Sequence, residues 1–229
     1  MKNLVFIVLL VVGTNALGQV TPKTAKSPTE FVPVGHIVFQ QIQGDLNKDK
    51  QLDYVLIIKG TDKADFVKDE YRGELDRNRR GIIIALKNND RYELALENRD
   101  CFSSENEDGG VYFPPELDVS IKKGNLLVHY AHGRYGYWTY NFRYQNSDFE
   151  LIGYDSDQSR GPITEKSVSI NLMTKKMLIK ENVNQDAEEG GDENFKETWK
   201  KFSLSKPIKL RDIADFDGLD VTSLLGSVK

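Results

Sequence analysis

The chain has 229 residues, 35 of them acidic and 31 basic, and a formal net charge of −4. That mild acidity excludes a general nucleic-acid binder, whose footprint is a strongly basic face. Cys101 is the single cysteine, so no internal disulfide holds the chain, and a small buried hydrophobe is the plain reading of this lone thiol.

Residues 1–18 read as an export signal. Lys2 supplies a positive charge, residues 4–12 form an unbroken apolar run, and Ala16-Leu17-Gly18 offers small residues for cleavage. The run is far shorter than the roughly 20 residues a spanning helix needs, and no later stretch is longer, so no membrane span is expected. No cysteine is present here for lipid attachment. The expected setting is periplasmic or secreted, with a mature start near Gln19. Residues 19–34, rich in Thr, Pro, Lys and Ser, read as a flexible leader.

From residue 35 to 206 the pattern is of strands and turns. Residues 36–43 alternate, and residues 53–59 hold the β-rich run Tyr54-Val55-Leu56-Ile57-Ile58. Residues 61–80 are charged and lack an apolar period, which predicts an excursion with one helical turn. Four hairpins follow. Asn88-Asn89-Asp90 joins strands over 81–86 and 91–97, and Lys123-Gly124 joins 117–122 to 125–132. Asn146-Ser147-Asp148 joins 137–145 to 149–154, and Met173-Thr174-Lys175 joins 167–172 to 176–181. Residues 184–194 are an acidic, solvated loop. Residues 196–204 fit either a helix or a strand, and strand completes the meander. Residues 207–229 read as a C-terminal tail with a short helix near Leu224. The sum is an all-β domain of antiparallel meanders, about ten short strands arranged as a sandwich or a partial propeller, with few or no long helices.

Between the first two strands, Asp45, Asn47, Asp49 and Asp53 place oxygen ligands at loop positions 1, 3, 5 and 9, and Gln51 adds a backbone carbonyl at position 7. Calcium takes six to eight such oxygens, and alternate residues of a tight loop can converge on one ion. The competing reading is an ordinary polar turn, since Asp, Asn and Gly are turn formers. Strand–loop–strand flanks distinguish this segment from an EF-hand. A weak structural calcium is the expectation.

The aromatic stretch comes next. On a strand over 137–145, Trp138, Tyr140, Phe142 and Tyr144 share one face, and Tyr137, Thr139, Asn141, Arg143 and Gln145 the other. Such rings either form the core side or offer a ligand-stacking platform, for which Tyr137, Trp138 and Tyr140 are the candidates. His129 and His132, three apart on a strand, point to opposite faces and cannot easily chelate one metal. His36 has no identifiable partner. No nucleophile elbow, phosphate loop or His-Glu-x-x-His run is present. No catalytic residue is assigned.

Two resemblances enter here. Gly44-Asp45-Leu46-Asn47-Lys48-Asp49-Lys50-Gln51-Leu52-Asp53-Tyr54-Val55 resembles the calcium loop of FG-GAP/VCBS-type repeats, known from integrin-like propellers and many secreted bacterial proteins. That resemblance implies Asp45, Asn47, Asp49 and Asp53 as side-chain ligands and Gln51 as a main-chain one. Lys50 stands where the repeats usually have Gly. The segments 73–81, 108–111, 140–146 and 152–154 are similar to a group of uncharacterised exported bacterial proteins. This implies one domain and an exported setting, with no activity to carry over.

The residues therefore predict an exported, non-catalytic β protein with one structural calcium loop, a binding or cell-envelope-associated factor for a protein or a glycan. One alternative is a metal-free β domain that meets a protein partner through a sheet face or edge. The other is a hydrolase acting on glycan or peptide around His129 or Asp76.

Overall fold

The computed structural model describes residues 23–108 and 113–229. The expected signal over 1–18 and the Gly109-Gly110-Val111 part of the second resemblance lie outside the described residues. The chain is all-β, and every named strand pairing is antiparallel.

Strands β1 (Thr24–Ala25), β2 (His36–Gly44), β3 (Asp53–Gly60), β4 (Phe66–Asp69), β5 (Gly73–Asp76), β6 (Arg80–Asn88) and β7 (Arg91–Phe102) come first. Five of them form one sheet in the order β1-β7-β6-β3-β2, and β4 pairs with β5 as a separate hairpin. That hairpin and a 3-10 turn at Lys63–Asp65 occupy the stretch predicted as an excursion. Then β8 (Glu116–Lys122), β9 (Asn125–Ala131), β10 (Gly136–Gln145), β11 (Asp148–Arg160), β12 (Ile163–Asn171), β13 (Lys176–Asn182) and β14 (Phe195–Lys201) form a seven-stranded meander. Its tight turns are set by local chemistry. Lys123-Gly124 and Asn146-Ser147 both place two successive residues at positive φ, the type I′ geometry whose twist matches the flanking strands.

The two sheets pack face to face as a sandwich. Val55, Ile57, Ile82 and Ile84 from one meet Val128, Tyr140, Phe142 and Leu151 from the other in a single core. Alternation explains the seven-stranded sheet, whose second face is polar. Strands β3 and β6 do not alternate, because both their faces are buried: Leu56, Ile58, Ile83 and Ala85 belong to a second cluster with Ala25 and Phe31.

That second cluster corrects the flexible leader over its described residues, 23–34. Residues 24–25 pair with β7, and Ser27 caps a 3-10 turn that delivers Phe31, 0 % exposed, onto the outer face of the sheet. Burying one Phe side chain contributes about 2–3 kcal/mol, enough to hold so short a segment in place. The C-terminal tail needs the same correction. Leu210, Ile213, Phe216 and Val221 enter the inter-sheet core. The Phe216 ring stacks on Phe102 at 5.0 Å and meets Tyr140 edge-on at 5.0 Å. Asn98 Nδ2 donates to the carbonyls of Leu210 and Ile213, at 3.2 and 2.7 Å. The segment is a plug, and the domain closes around it.

Among the described residues, no helix is long and apolar enough to cross a membrane.

Candidate functional site

Two places collect the residues singled out above: the acidic loop between β2 and β3, and the outer face of the seven-stranded sheet.

The loop is a set of nested side-chain-to-backbone bonds. Asp45 accepts the N–H of Asp49 at 3.1 Å on Oδ1 and that of Lys50 at 3.0 Å on Oδ2. Asn47 Oδ1 also accepts the Asp49 N–H, at 3.0 Å, and Asp49 Oδ1 accepts the Gln51 N–H at 2.7 Å. The Gln51 N–H bond is the main reason the Asp49 carboxyl sits below its usual range. Lys48 and Lys50 turn the chain at φ 67° and 71°, conformations that Gly adopts more cheaply. Leu46 points into the main core and anchors the loop from beneath.

Asp53 behaves differently from its neighbours. It is 0 % exposed, and its oxygens accept the N–H groups of Leu46 at 2.7 Å and Lys87 at 2.8 Å. Burial pushes its carboxyl up, the hydrogen bonds pull it back, and Asp49 adds to the rise. Among the described residues, no group of three or more His, Cys, Asp or Glu side chains is gathered as a metal cluster. The loop's donor set is nonetheless hard oxygen throughout, although Asp49 Oδ2 already accepts from Asn47 Nδ2 at 3.0 Å and from Gln51 Nε2 at 3.1 Å, so those two amides must turn away for it to meet an ion.

The outer face of the seven-stranded sheet is ordered by register. Directly paired residues share a face. One row runs Asp118, His129 and Thr139 across β8 to β10, and continues through Asp155, Ser169, Leu178 and Trp199 to β14. Within it, His129 Nδ1 and Thr139 Oγ1 are 2.7 Å apart, and Ser169 Oγ donates to Asp155 Oδ1 at 2.6 Å. A parallel row holds Tyr137, Asp157, Ser167 and Lys180. Small residues on β12 lie between longer ones on β10 and β13, so the face dips into a groove of about 420 Å³. Every residue lining it lies on β9 to β13, so among the described residues no loop lines it.

The three candidate stacking residues separate here. Tyr140 is 1 % exposed and lies in the core, which removes it as a platform. Trp138 packs on the same core, its ring stacked on Tyr130 at 5.3 Å. Tyr137, of opposite parity, is 39 % exposed and lines the groove. Its hydroxyl is pushed up by burial and by the neighbouring Asp157 carboxylate. Trp199, which is not among the three stacking candidates, is 64 % exposed on the same face. The signal was its partner, since Trp199 sits opposite Leu178, but that register is invisible before the strands are paired.

The enzyme alternative finds little to assemble. Asp118 stands across from His129, yet no hydrogen bond joins them. His132 lies away from this row, and its Nε2 has no partner. Asp76 makes an ion pair with the buried Lys59 at 3.0 Å. Burial alone would raise the Asp76 carboxyl, but bonds from Asn78 and Lys59 hold it low, the wrong direction for a general acid. Cys101 is buried against the main core, and burial pushes its thiol far up, so it is no nucleophile.

The fold and face define an antiparallel β sandwich with an open, polar-aromatic groove on the outer face of its larger sheet. No family, curated protein or solved structure matches the chain.

Proposed function

We propose that this is an exported, non-catalytic binding protein whose ligand lies in the groove on the outer face of the seven-stranded sheet. The observation that carries the reading is the groove itself. It gathers the half-exposed Tyr137 ring, two carboxylates, four Ser and Thr hydroxyls, an amide and the Lys180 ammonium on rigid, doubly paired strands, without a buried acid or an activated nucleophile.

A structural calcium in the loop over 45–53 belongs to the same proposal. Asp45, Asn47 and Asp49 would hold the ion with the Gln51 main-chain carbonyl, and Asp53 would close the set. Supporting it is the buried Asp53 carboxylate, which no cation offsets among the described residues and which Asp49 further burdens. A divalent ion would supply the missing positive charge. The ion's task would be to hold the β2–β3 connection.

A second reading rests on β2. This sheet-edge strand contains no Asp, Glu, Lys, Arg or Pro and exposes Ile37, Val38 and Phe39. Edges are commonly protected by charge, so an unprotected one is a template for a partner strand.

Co-sedimentation of the mature chain with washed cell envelopes separates the two. Ser169→Ile, which fills the groove floor, should abolish binding, and Ile37→Lys on β2 should leave it intact. The reverse pattern moves the binding seat to the sheet edge and ends the groove reading.

A further inference from the structure

We infer that the groove takes an uncharged oligosaccharide chain. This rests on the groove being the binding seat and names what fills it.

Three features select the ligand. The lining strands β10 to β13 are each paired on both sides, so their main-chain amides are committed to the sheet. A peptide cannot add to them as a strand, and recognition must run through side chains. Those side chains are rich in acceptors. Asp155 and Asp157 are carboxylates, and Asn141 Oδ1 is buried without a hydrogen-bond partner. A buried acceptor left unpaired is costly, so the matching ligand brings many donors, as a polyol does.

Charge narrows the class. Lys180 is tied to Glu197 at 2.8 Å, so its charge is balanced on the spot. Among the described residues Asp155 and Asp157 have no such cationic partner, Asp155 being bonded to the neutral Ser169 hydroxyl, and the groove is left negative. Uronates and sulfated sugars are repelled, and neutral sugars are admitted.

Ring placement sets the length. Tyr137 on β10 and Trp199 on β14 lie on the same face, four strand steps apart. At roughly 4.8 Å per step this is about 19 Å, a span for a chain of sugars rather than one. Flat C–H faces of pyranose rings suit such amphipathic rings, with Leu127 and Leu178 adding apolar floor.

The test is calorimetric titration of the mature chain with cellohexaose, maltohexaose, mannohexaose and chitohexaose. Hexagalacturonate and an uncharged Ser/Asn octapeptide serve as comparators. At least one neutral hexasaccharide should bind, its own monosaccharide should bind far more weakly, and hexagalacturonate should not bind. Trp199→Ala and Asp155→Asn should each weaken the interaction about tenfold. Failure of all four neutral hexasaccharides overturns the inference, as does binding that both variants leave unchanged. If the octapeptide binds instead and Ser169→Ile abolishes it, the groove stands as a binding seat and the saccharide assignment falls. If Ser169→Ile leaves envelope binding untouched, the seat itself is wrong.

Discussion

Asp53 Oδ1 accepts the backbone N–H of Lys87 on the neighbouring strand β6 at 2.8 Å, so the acidic loop is bolted to the sheet beside it. Its other oxygen takes the Leu46 N–H at 2.7 Å from within the loop. One side chain thus joins loop, strand and neighbouring strand.

Replacing it should be expensive. Asp53→Ala leaves two N–H groups without their acceptor, each costing about 1–3 kcal/mol when buried. A total near 3 kcal/mol is expected, read as a lower urea midpoint with unchanged slope. The pH dependence has a definite sign. Burial raises the folded carboxyl above 3.8, so its stabilising share is fully present below that value and is lost as pH rises through the folded one. The wild type should therefore lose stability relative to Asp53→Asn between pH 3.8 and neutrality in calcium-free buffer.

Calcium should reverse part of that loss. With a dissociation constant of about 0.1 mM and about 1 mM ion, linkage gives ~1.4 kcal/mol. The chain from residue 19 onward should melt a few degrees higher in calcium than in chelator, and Asp49→Ala should remove the difference. Equal heats of calcium titration into wild type and Asp49→Ala would discard the site.

The C-terminal plug supplies the opposite pH response. Asp148 on β11 pairs with Arg211 at 2.8 Å and Lys209 at 3.2 Å. Burial would raise its carboxyl, but bonds from Arg211, the Phe149 N–H and Lys209 hold it below the ordinary range. Its contribution is present above pH 3.8 and lost as pH falls through the lowered folded value. The basic partners are partly exposed, so about 1–2 kcal/mol is expected after screening. Acid titration of stability should flatten in Asp148→Asn, and the plug should become more sensitive to protease below pH 3.8 in the wild type.

Phe31 offers a test of the N-terminal cover. Phe31→Ala empties a fully buried position on the outer face of β3 and β6. About 3–4 kcal/mol should be lost, and amides of residues 24–32 should exchange faster than those of β6. An unchanged urea midpoint would mean that this segment does not hold the sheet.

Local chemistry made much of the fold readable. Lys123-Gly124 and Asn146-Ser147 announce tight turns because few residues tolerate positive φ, and the alternation in β10 sorts its rings from its polar residues. The place of the acidic loop between two strands was legible from spacing, whereas the side-chain-to-backbone bonds at Asp45, Asn47 and Asp49 are seen only in the folded chain. Other features left weaker marks. Leu210, Ile213, Phe216 and Val221 follow no strand or helix period, so only their burial between the sheets reveals a plug. Phe31 sits among turn-forming residues, and nothing local says that a sheet face awaits it.

From its own residues, this chain specified an all-β meander, its tight turns, one oxygen-rich loop and the two opposite faces of β10. Those follow from backbone sterics and period-two alternation, which act between near neighbours. Tertiary structure decided which face of β10 would be inside, that Tyr137 and Trp199 would lie on one face of the sheet, that residues 24–32 would cover the outer face of β3 and β6, and that the C-terminal segment would fill the inter-sheet core. Strand register and sheet packing bring together residues far apart in sequence, and no local pattern encodes their distance.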